Sequence, residues 1–349
     1  MSVYIQSAKQ ISAQKPLSDE WFDNPVYYEE PRVSTINPDF SPYFSPLMAR
    51  RLCVLLKRAV ALSRLTLKEA LVETPNAIIC GTGLGCPDNV EKFIYSIMEN
   101  DEKFLQPTYF IQSTHNIFSS TIAIDLKCHG YNNTFVHRGA SFENALLDAM
   151  LQFEHGRVQT VLVGGFDKLT NDYYQFFDRI NVWDFATGTS PKKKCFASEV
   201  AVSMLLSKTQ IEHTICEIND VELLHKPTHE QMQETLDTIL VRAGCMLSDI
   251  DAVLTGLNTN EENDKIYRNV IDRFFGGIPI LKYKHLFGES LSSSAIGVYV
   301  ALTCLRKGYA PTILLEDNDA DIHPLKRILI YNHYRNKSHS FILLSSCSR

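Results

Sequence analysis

Hydrophobic positions along this chain follow two alternating rhythms. Short apolar runs at 77–80, 134–136, 160–163 and 252–254 have the length of strands, whereas 46–71, centred on RRLCVLLKRAVAL, repeats its apolar positions with the helix period. A first strand is predicted at 3–5, helices at 89–97, 119–126 and 141–153, and a strand at SMLLS. The essentials then recur: helix 229–243, strand 252–254, helices 262–274 and 290–306, and strands near 311–315, 327–331 and 341–344. Strands alternating with helices imply sheets covered on both faces. The chain reads as an α/β protein made of two similar βαβ-rich halves, 1–207 and 208–349, which put the turns at Gly139 and Glu289 at equivalent helix starts.

Composition narrows the class. With 349 residues and 45% hydrophobic content the chain can bury a large core, as two domains or one duplicated fold. No apolar run approaches the roughly 20 residues needed to span a bilayer. The opening MSVYIQSAKQISAQ lacks a signal-peptide pattern, so no membrane insertion and a cytoplasmic location are expected. Nine cysteines without a Cys-x-x-Cys pair, scattered through apolar segments as at Cys53, Cys80 and Cys304, suit buried free thiols. A net charge of -6 gives no general attraction for nucleic acid, and Lys192-Lys193-Lys194 reads as a solvated loop or a contact for an acidic carrier protein. Gly81-Thr82-Gly83-Leu84-Gly85 lacks the dinucleotide-binding glycine spacing and reads as a tight, closely packed turn. No cofactor or metal is called for.

The informative segment runs from Thr134 to Phe142. It leads a predicted strand into a predicted helix and places Gly139 at the sharp turn. Free amides at such a turn suit a nucleophile or an anion, yet the residue there has no side chain. HRGASFENALLDAM followed by VQTVLVGGFD resembles the beta-ketoacyl synthase family of thiolase-like condensing enzymes, in which a reactive Cys precedes Ala-Ser and a helix. On that pattern Gly139 stands at the Cys position. The family's first catalytic His lies in a His-Gly-Thr-x-Thr loop followed by Asp. Here TGLNTNEEND puts Gly256 at the His and Asp264 at the Asp. The second His closes a Lys-x-x-x-Gly-His segment, where Lys284 and Gly288 persist, Glu289 takes the His position and His285 is out of register. AIICGTGLG, Ser198-Glu199-Val200-Ala201 and the order of elements also fit, across essentially the whole chain. The family's Gly-rich gating loop is replaced by Ile330-Tyr331-Asn332-His333-Tyr334-Arg335-Asn336.

The resemblance implies a five-layer thiolase-like fold with a vestigial site at Gly139, Gly256, Lys284 and Glu289. Covalent acyl transfer by the usual route is then not expected. Lys284 can pair with Glu289, which sits where a helix dipole also favours a carboxylate. Ser141 is expected to cap its helix rather than pair with His137 as a nucleophile. PTYFIQSTHNIFSS resembles the stretch that lines the acyl pocket near the dimer interface, which makes Ile111, Ser113, His115 and Phe118 acyl-tunnel candidates. Thr134, Phe135 and Val136 fall on the family's dimer edge. The aromatic stretch from Asp172 through Trp183 to Phe185 falls beside tunnel and partner, and core packing accounts for much of it.

Gly at the Cys position together with Ser-x-His-Asn looks like the chain-length-factor-like members of aryl-polyene pathways. The implied role is a noncatalytic subunit that pairs with a Cys-containing ketosynthase as a heterodimer, meets an acyl carrier protein and shapes the tunnel for a fatty-acid, polyketide or polyene chain. Two alternatives stand beside it. One is an active acyltransferase or malonyl decarboxylase using His115 or Glu289; the other is a homodimeric acyl-binding scaffold.

Overall fold

The computed structural model describes residues 2–185, 194–316, 322 and 324–347. Its first half contains β1 (Val3–Ile11), α1 (Pro46–Arg51), α2 (Val54–Glu69), β2 (Ala77–Gly81), α3 (Pro87–Glu99), α4 (Pro107–Gln112), α5 (Ile117–Leu126), β3 (Tyr131–Phe135), α6 (Ser141–Glu154), β4 (Thr160–Asp167), α7 (Asn171–Arg179) and β5 (Val200–Ser207). The second contains β6 (Cys216–His225), α8 (His229–Ala243), β7 (Ala252–Thr255), α9 (Glu261–Phe274), β8 (Ile280–Lys282), α10 (Lys284–Phe287), α11 (Ser293–Lys307), β9 (Arg327–Tyr334) and β10 (Ser338–Ser346).

The strand order is β3-β2-β4-β5-β1-β6-β10-β9-β7-β8. Numbered within its own half, each set of five strands has the order 3-2-4-5-1, with the first three parallel and the last two antiparallel. This identity of order and direction is the duplication that the sequence pattern predicts. The halves join where Val3, Tyr4 and Ile5 of β1 pair with Ile218, Glu217 and Cys216 of β6.

The period-two pattern of the strands assigns the layers. In β2, Ala77 and Ile79 face one core while Ile78 and Cys80 face another; in β9, Ile328 and Ile330 oppose Leu329 and Tyr331 in the same way. The shared inner core holds α6 and α11 between the sheets. Leu55 and Leu62 of α2 and Phe118 of α5 cover the outer face of the first sheet, and Met232 of α8 and Tyr267 of α9 cover that of the second. The result is five layers of the thiolase type. In α11, every residue from Ser293 to Leu305 is buried, as a helix enclosed by two sheets requires.

Two predicted elements differ. The helix at 46–71 is two helices, because Leu52 and Cys53 adopt extended backbone: α1 buries no residue, while α2 turns Leu55, Leu56 and Ala59 into the core. The predicted strand at 311–315 is a 3-10 turn, Thr312–Leu314, with Leu315 making only an isolated bridge to Leu281. Pro311 supplies no amide for a ladder there. Lys192 and Lys193 lie outside the described residues; the Lys194 ammonium donates to the Glu29 carbonyl at 2.7 Å.

Candidate functional site

The turn between β3 and α6 is built around Ser141. Its hydroxyl accepts from the His137 amide and donates to the Arg138 carbonyl, both at 2.7 Å, so it fastens the turn from the first helical position rather than capping α6. His137 presents its ring to Asn144, leaving no Ser–His side-chain pair. Arg138 takes a left-handed conformation with φ +53°, a strained state for a residue with a side chain. Gly139 follows, buried.

What stands over Gly139 decides how this turn can be used. A Cβ placed there would lie closer than 3.0 Å to Cβ, Cγ and Cδ2 of Tyr334. Tyr334 ends β9, and the segment expected to be a rebuilt gating loop is a strand closed by a hairpin. The loop joining β9 to β10 has three residues, and its first two, Arg335 and Asn336, both have positive φ. That hairpin brings the Tyr334 ring into the space a side chain on Gly139 would take.

Gly256 is filled in the same manner. A Cβ there would meet the Tyr267 hydroxyl and come within 2.8 Å of Asn332 Oδ1. The Tyr267 hydroxyl donates to Asn332 Oδ1 at 2.5 Å, and Asn332 Nδ2 donates to Glu143 Oε1 at 2.9 Å. Burial pushes the Glu143 carboxyl up from its usual range. Asp264 organises the same loop by accepting the Asn258 and Thr259 amides at 2.9 and 3.0 Å.

Lys284 and Glu289 pair at 2.6 Å. Burial opposes the charge on Lys284, but the Glu289 carboxylate prevails and holds the ammonium above its ordinary value. Glu289 Oε2 also accepts from Asn258 Nδ2 at 2.6 Å, and Oε1 from the Ser293 hydroxyl at 3.1 Å. Glu289 does not begin a helix as the sequence pattern suggests. It bridges the backbone of Phe196 and Ser198, and α11 starts four residues later at Ser293. His285 is turned away, its Nε2 against the Ile313 carbonyl at 2.9 Å, and burial lowers its pKa to about 4.

Gly139, Lys284, Glu289, Asn258 and Tyr334 line one cavity of about 600 Å³, whose apolar side includes Trp183. Gly256 lies behind its Asn332 wall. No cysteine lines the cavity among the described residues. The buried Cys195 thiol faces the Lys284 carbonyl, and burial raises its pKa well above the thiol range. His333, also in the lining, is held neutral: burial lowers its pKa to about 3, Nε2 meets the Asn263 carbonyl and Nδ1 accepts the Asn336 amide. Asn258, Tyr267, Asn332 and Tyr334 are thus site residues that motif spacing does not reveal. The altered loop motif is the one signal that points toward Tyr334.

The tunnel candidates do not line this cavity. Ile111 is 59% exposed, His115 is exposed and Ser113 donates to the Phe110 carbonyl, whereas Phe118 is fully buried and stacks on Phe166. They sit on α4, α5 and their connection. Next to α5, β3 pairs only with β2 among the described residues and leaves its other edge open. Thr134 holds Ser119 through its hydroxyl, the Phe135 carbonyl accepts the Thr82 amide, and Val136 is half-buried beyond the strand. Gly81 and Gly83 serve close packing, as expected: a Cβ at either would overlap Ser141 and Phe142 backbone or Leu291. Of the aromatic stretch, Tyr173, Tyr174, Phe177 and Trp183 pack together, while Phe176 is 58% exposed. Among the described residues no helix is long and apolar enough to cross a membrane.

Comparison with known proteins agrees with this geometry. The family described as beta-ketoacyl synthase, N-terminal domain, matches residues 31–261. No curated protein matches. Among solved structures, a beta-ketoacyl synthase from Burkholderia phymatum superposes with TM-score 0.82 at 14% identity, covering 99% of both chains. A type II polyketide synthase acyl carrier protein in complex with its ketosynthase, AntDE:AntF, gives TM-score 0.79 at 15% identity over 99% of both chains. The ketosynthase ApeO in complex with its chain length factor ApeC, from Xenorhabdus doucetiae, gives 0.79 at 15% identity over 99% of this chain and 98% of that one. With that family model spanning residues 31–261, more than half of the chain, the protein belongs to the beta-ketoacyl synthase family.

Proposed function

We propose that this chain is a noncatalytic, ketosynthase-like subunit that pairs with an active, Cys-containing beta-ketoacyl synthase and shapes the tunnel receiving the growing acyl chain, in the manner of a chain length factor. The observation that carries the reading is the Tyr334 ring packed where a side chain on Gly139 would stand. A thioester needs a nucleophile at that turn and donors for its oxyanion. At the Gly256 position the corresponding space is taken by Tyr267 and Asn332, and Glu289 is committed to Lys284, Asn258 and Ser293. Those three donors occupy both carboxylate oxygens of Glu289.

The open edge of β3 at Thr134 and Phe135, continued by Val136, and the apolar surface around Ile111, Ser113 and His115 form the side offered to the synthase partner. Solved relatives include a ketosynthase with its chain length factor and a ketosynthase with its acyl carrier protein, which supports both partners in the scheme. A wall acts by volume alone, since each added carbon unit must find space or strain the packing. The test is reconstitution with acyl and malonyl carrier-protein substrates. Product is expected only when a Cys-containing synthase from the same gene neighbourhood is added, and His115→Ala should not abolish it. Turnover by the isolated chain would contradict the reading, and stable self-association with no effect on product would favour a homodimeric scaffold.

A further inference from the structure

Outside the cavity lining, the breaks that begin two helices bring a pair of thiols together. Cys53 is the N-cap of α2 and half-buried; Cys86 is the N-cap of α3 and fully buried; their sulfurs lie 3.1 Å apart. The thiols sit in a polar junction. Asn89 Nδ2 donates to Cys86 Sγ at 3.4 Å and to Gln112 Oε1 at 2.9 Å, and Gln112 Nε2 donates to the Arg51 carbonyl at 2.7 Å. One cluster therefore ties the end of α1 and the start of α2 to the start of α3 and the end of α4.

We propose that Cys53 and Cys86 are a peroxide-reactive dithiol that closes to a disulfide and staples α3 and α4 to the core helix α2. The roles of the two sulfurs differ. The Cys86 thiol hydrogen bond, helped by the Leu56 and Leu55 amides, holds Cys53 below the ordinary thiol range although burial opposes it. Cys86 is pushed far up by its bond to Cys53 and by burial. The Cys53 thiolate attacks one peroxide oxygen; the S–O bond forms, the O–O bond breaks and the leaving oxygen departs as water after taking a proton. The Cys86 sulfur then attacks the Cys53 sulfenic acid, forming S–S and breaking S–O, and its proton leaves with the hydroxide as water. Two thiols and one peroxide become one disulfide and two waters. The staple matters because α3 buries only Pro87 and Asn89, α4 buries nothing, and together they carry the exposed Ile94, Tyr95, Met98, Phe110 and Ile111.

The test treats the reduced, folded full chain with hydrogen peroxide, blocks remaining thiols and maps peptides without reduction. The expected product is a Cys53–Cys86 linked peptide, lighter by two hydrogens, formed about tenfold faster than oxidation at the half-buried Cys245 or Cys347. The linked chain should melt at a higher temperature than the reduced chain, reversibly with dithiothreitol. Cys86→Ser should leave a sulfenic acid on Cys53 that dimedone captures, and Cys53→Ser should leave no adduct on Cys86. Oxidation no faster than at Cys245 and Cys347, or a dimedone adduct on Cys86 in Cys53→Ser, would overturn the proposal. Because the crosslink is read first on the unsubstituted chain, a variant that fails to fold leaves that result decisive.

Discussion

Strands β2, β3 and β4 of the first half and β7, β8 and β9 of the second are laid out alike, but what surrounds them is different. Outside the second sheet, α8 and α9 turn Met232, Leu236, Tyr267 and Val270 inward and, Val241 apart, polar residues outward. Outside the first, α3, α4, α5 and β3 expose Ile94, Met98, Phe110, Ile111, Ile124 and Tyr131 beside an unpaired strand edge. The buried titratable groups divide as well. The second half encloses three neutral imidazoles, His285, His333 and His339, while the first encloses the carboxyls Glu143 and Asp167. Duplication fixes the path of the chain and leaves each half free to specialise its faces: one turns mainly polar groups to water, the other exposes apolar side chains beside an open strand edge.

Acid should separate the halves most strongly. Burial lowers His285 and His339 to about 4 and His333 to about 3, from 6.5. A lowered imidazole contributes stability above its unfolded value that is lost as pH falls, at about 1.4 kcal/mol per unit per group. Asp167 acts oppositely: burial raises it to about 6 from 3.8, so its contribution is full below 3.8 and lost as pH rises through about 6. Going from pH 7 to 5.5, the three imidazoles together should cost roughly 4 kcal/mol and Asp167 return about 1. Urea unfolding at the two pH values measures the difference, and amide exchange should loosen β9 and β10 before β2 and β4. Equal stability at both values, or earlier loosening of β2 and β4, would break the comparison.

Next in size is Glu289→Ala, which leaves the Lys284 ammonium, 3% exposed, without its partner. Stability should fall by roughly 3 kcal/mol in chemical denaturation, and Glu289→Gln should cost less. Phe110→Asp with Ile111→Asp should weaken partner binding about 100-fold with little change in the isolated chain's stability. Binding measured by calorimetry or surface capture checks it. Gly139→Cys should cost about 2 kcal/mol through overlap with Tyr334, and Tyr334→Gly in the same chain should recover much of that loss. Smallest of all, Val241→Asp on the outer surface of the second half should shift stability by less than about 0.5 kcal/mol and leave partner binding alone. An effect as large as that of the Phe110 and Ile111 pair would erase the distinction between the faces.

Much of this was legible in the apolar periodicity. Helix α8 is bounded in sequence by Thr228 with its reciprocal Gln231 cap and by Gly244, so its ends announce themselves. The break at Leu52 and Cys53 is silent in the sequence, because apolar spacing continues through the two extended residues that separate α1 from α2. Motif spacing identifies Lys284 and Glu289 and allows their pairing. It does not place Tyr334 on Gly139 or Tyr267 and Asn332 on Gly256, since those contacts arise from β9 reaching the turn between β3 and α6 and from α9 packing beside β9. Period and spacing carry local structure; the packing of Tyr334 over Gly139 is a long-range event.

The most direct measurement is intact-mass analysis of both subunits after the reconstituted pair has been given an acyl carrier-protein donor. The expected result is an acyl adduct on the Cys-containing synthase alone, with this chain at its unmodified mass. An acyl adduct on this chain would contradict the reading of Gly139 as a vacated and filled position.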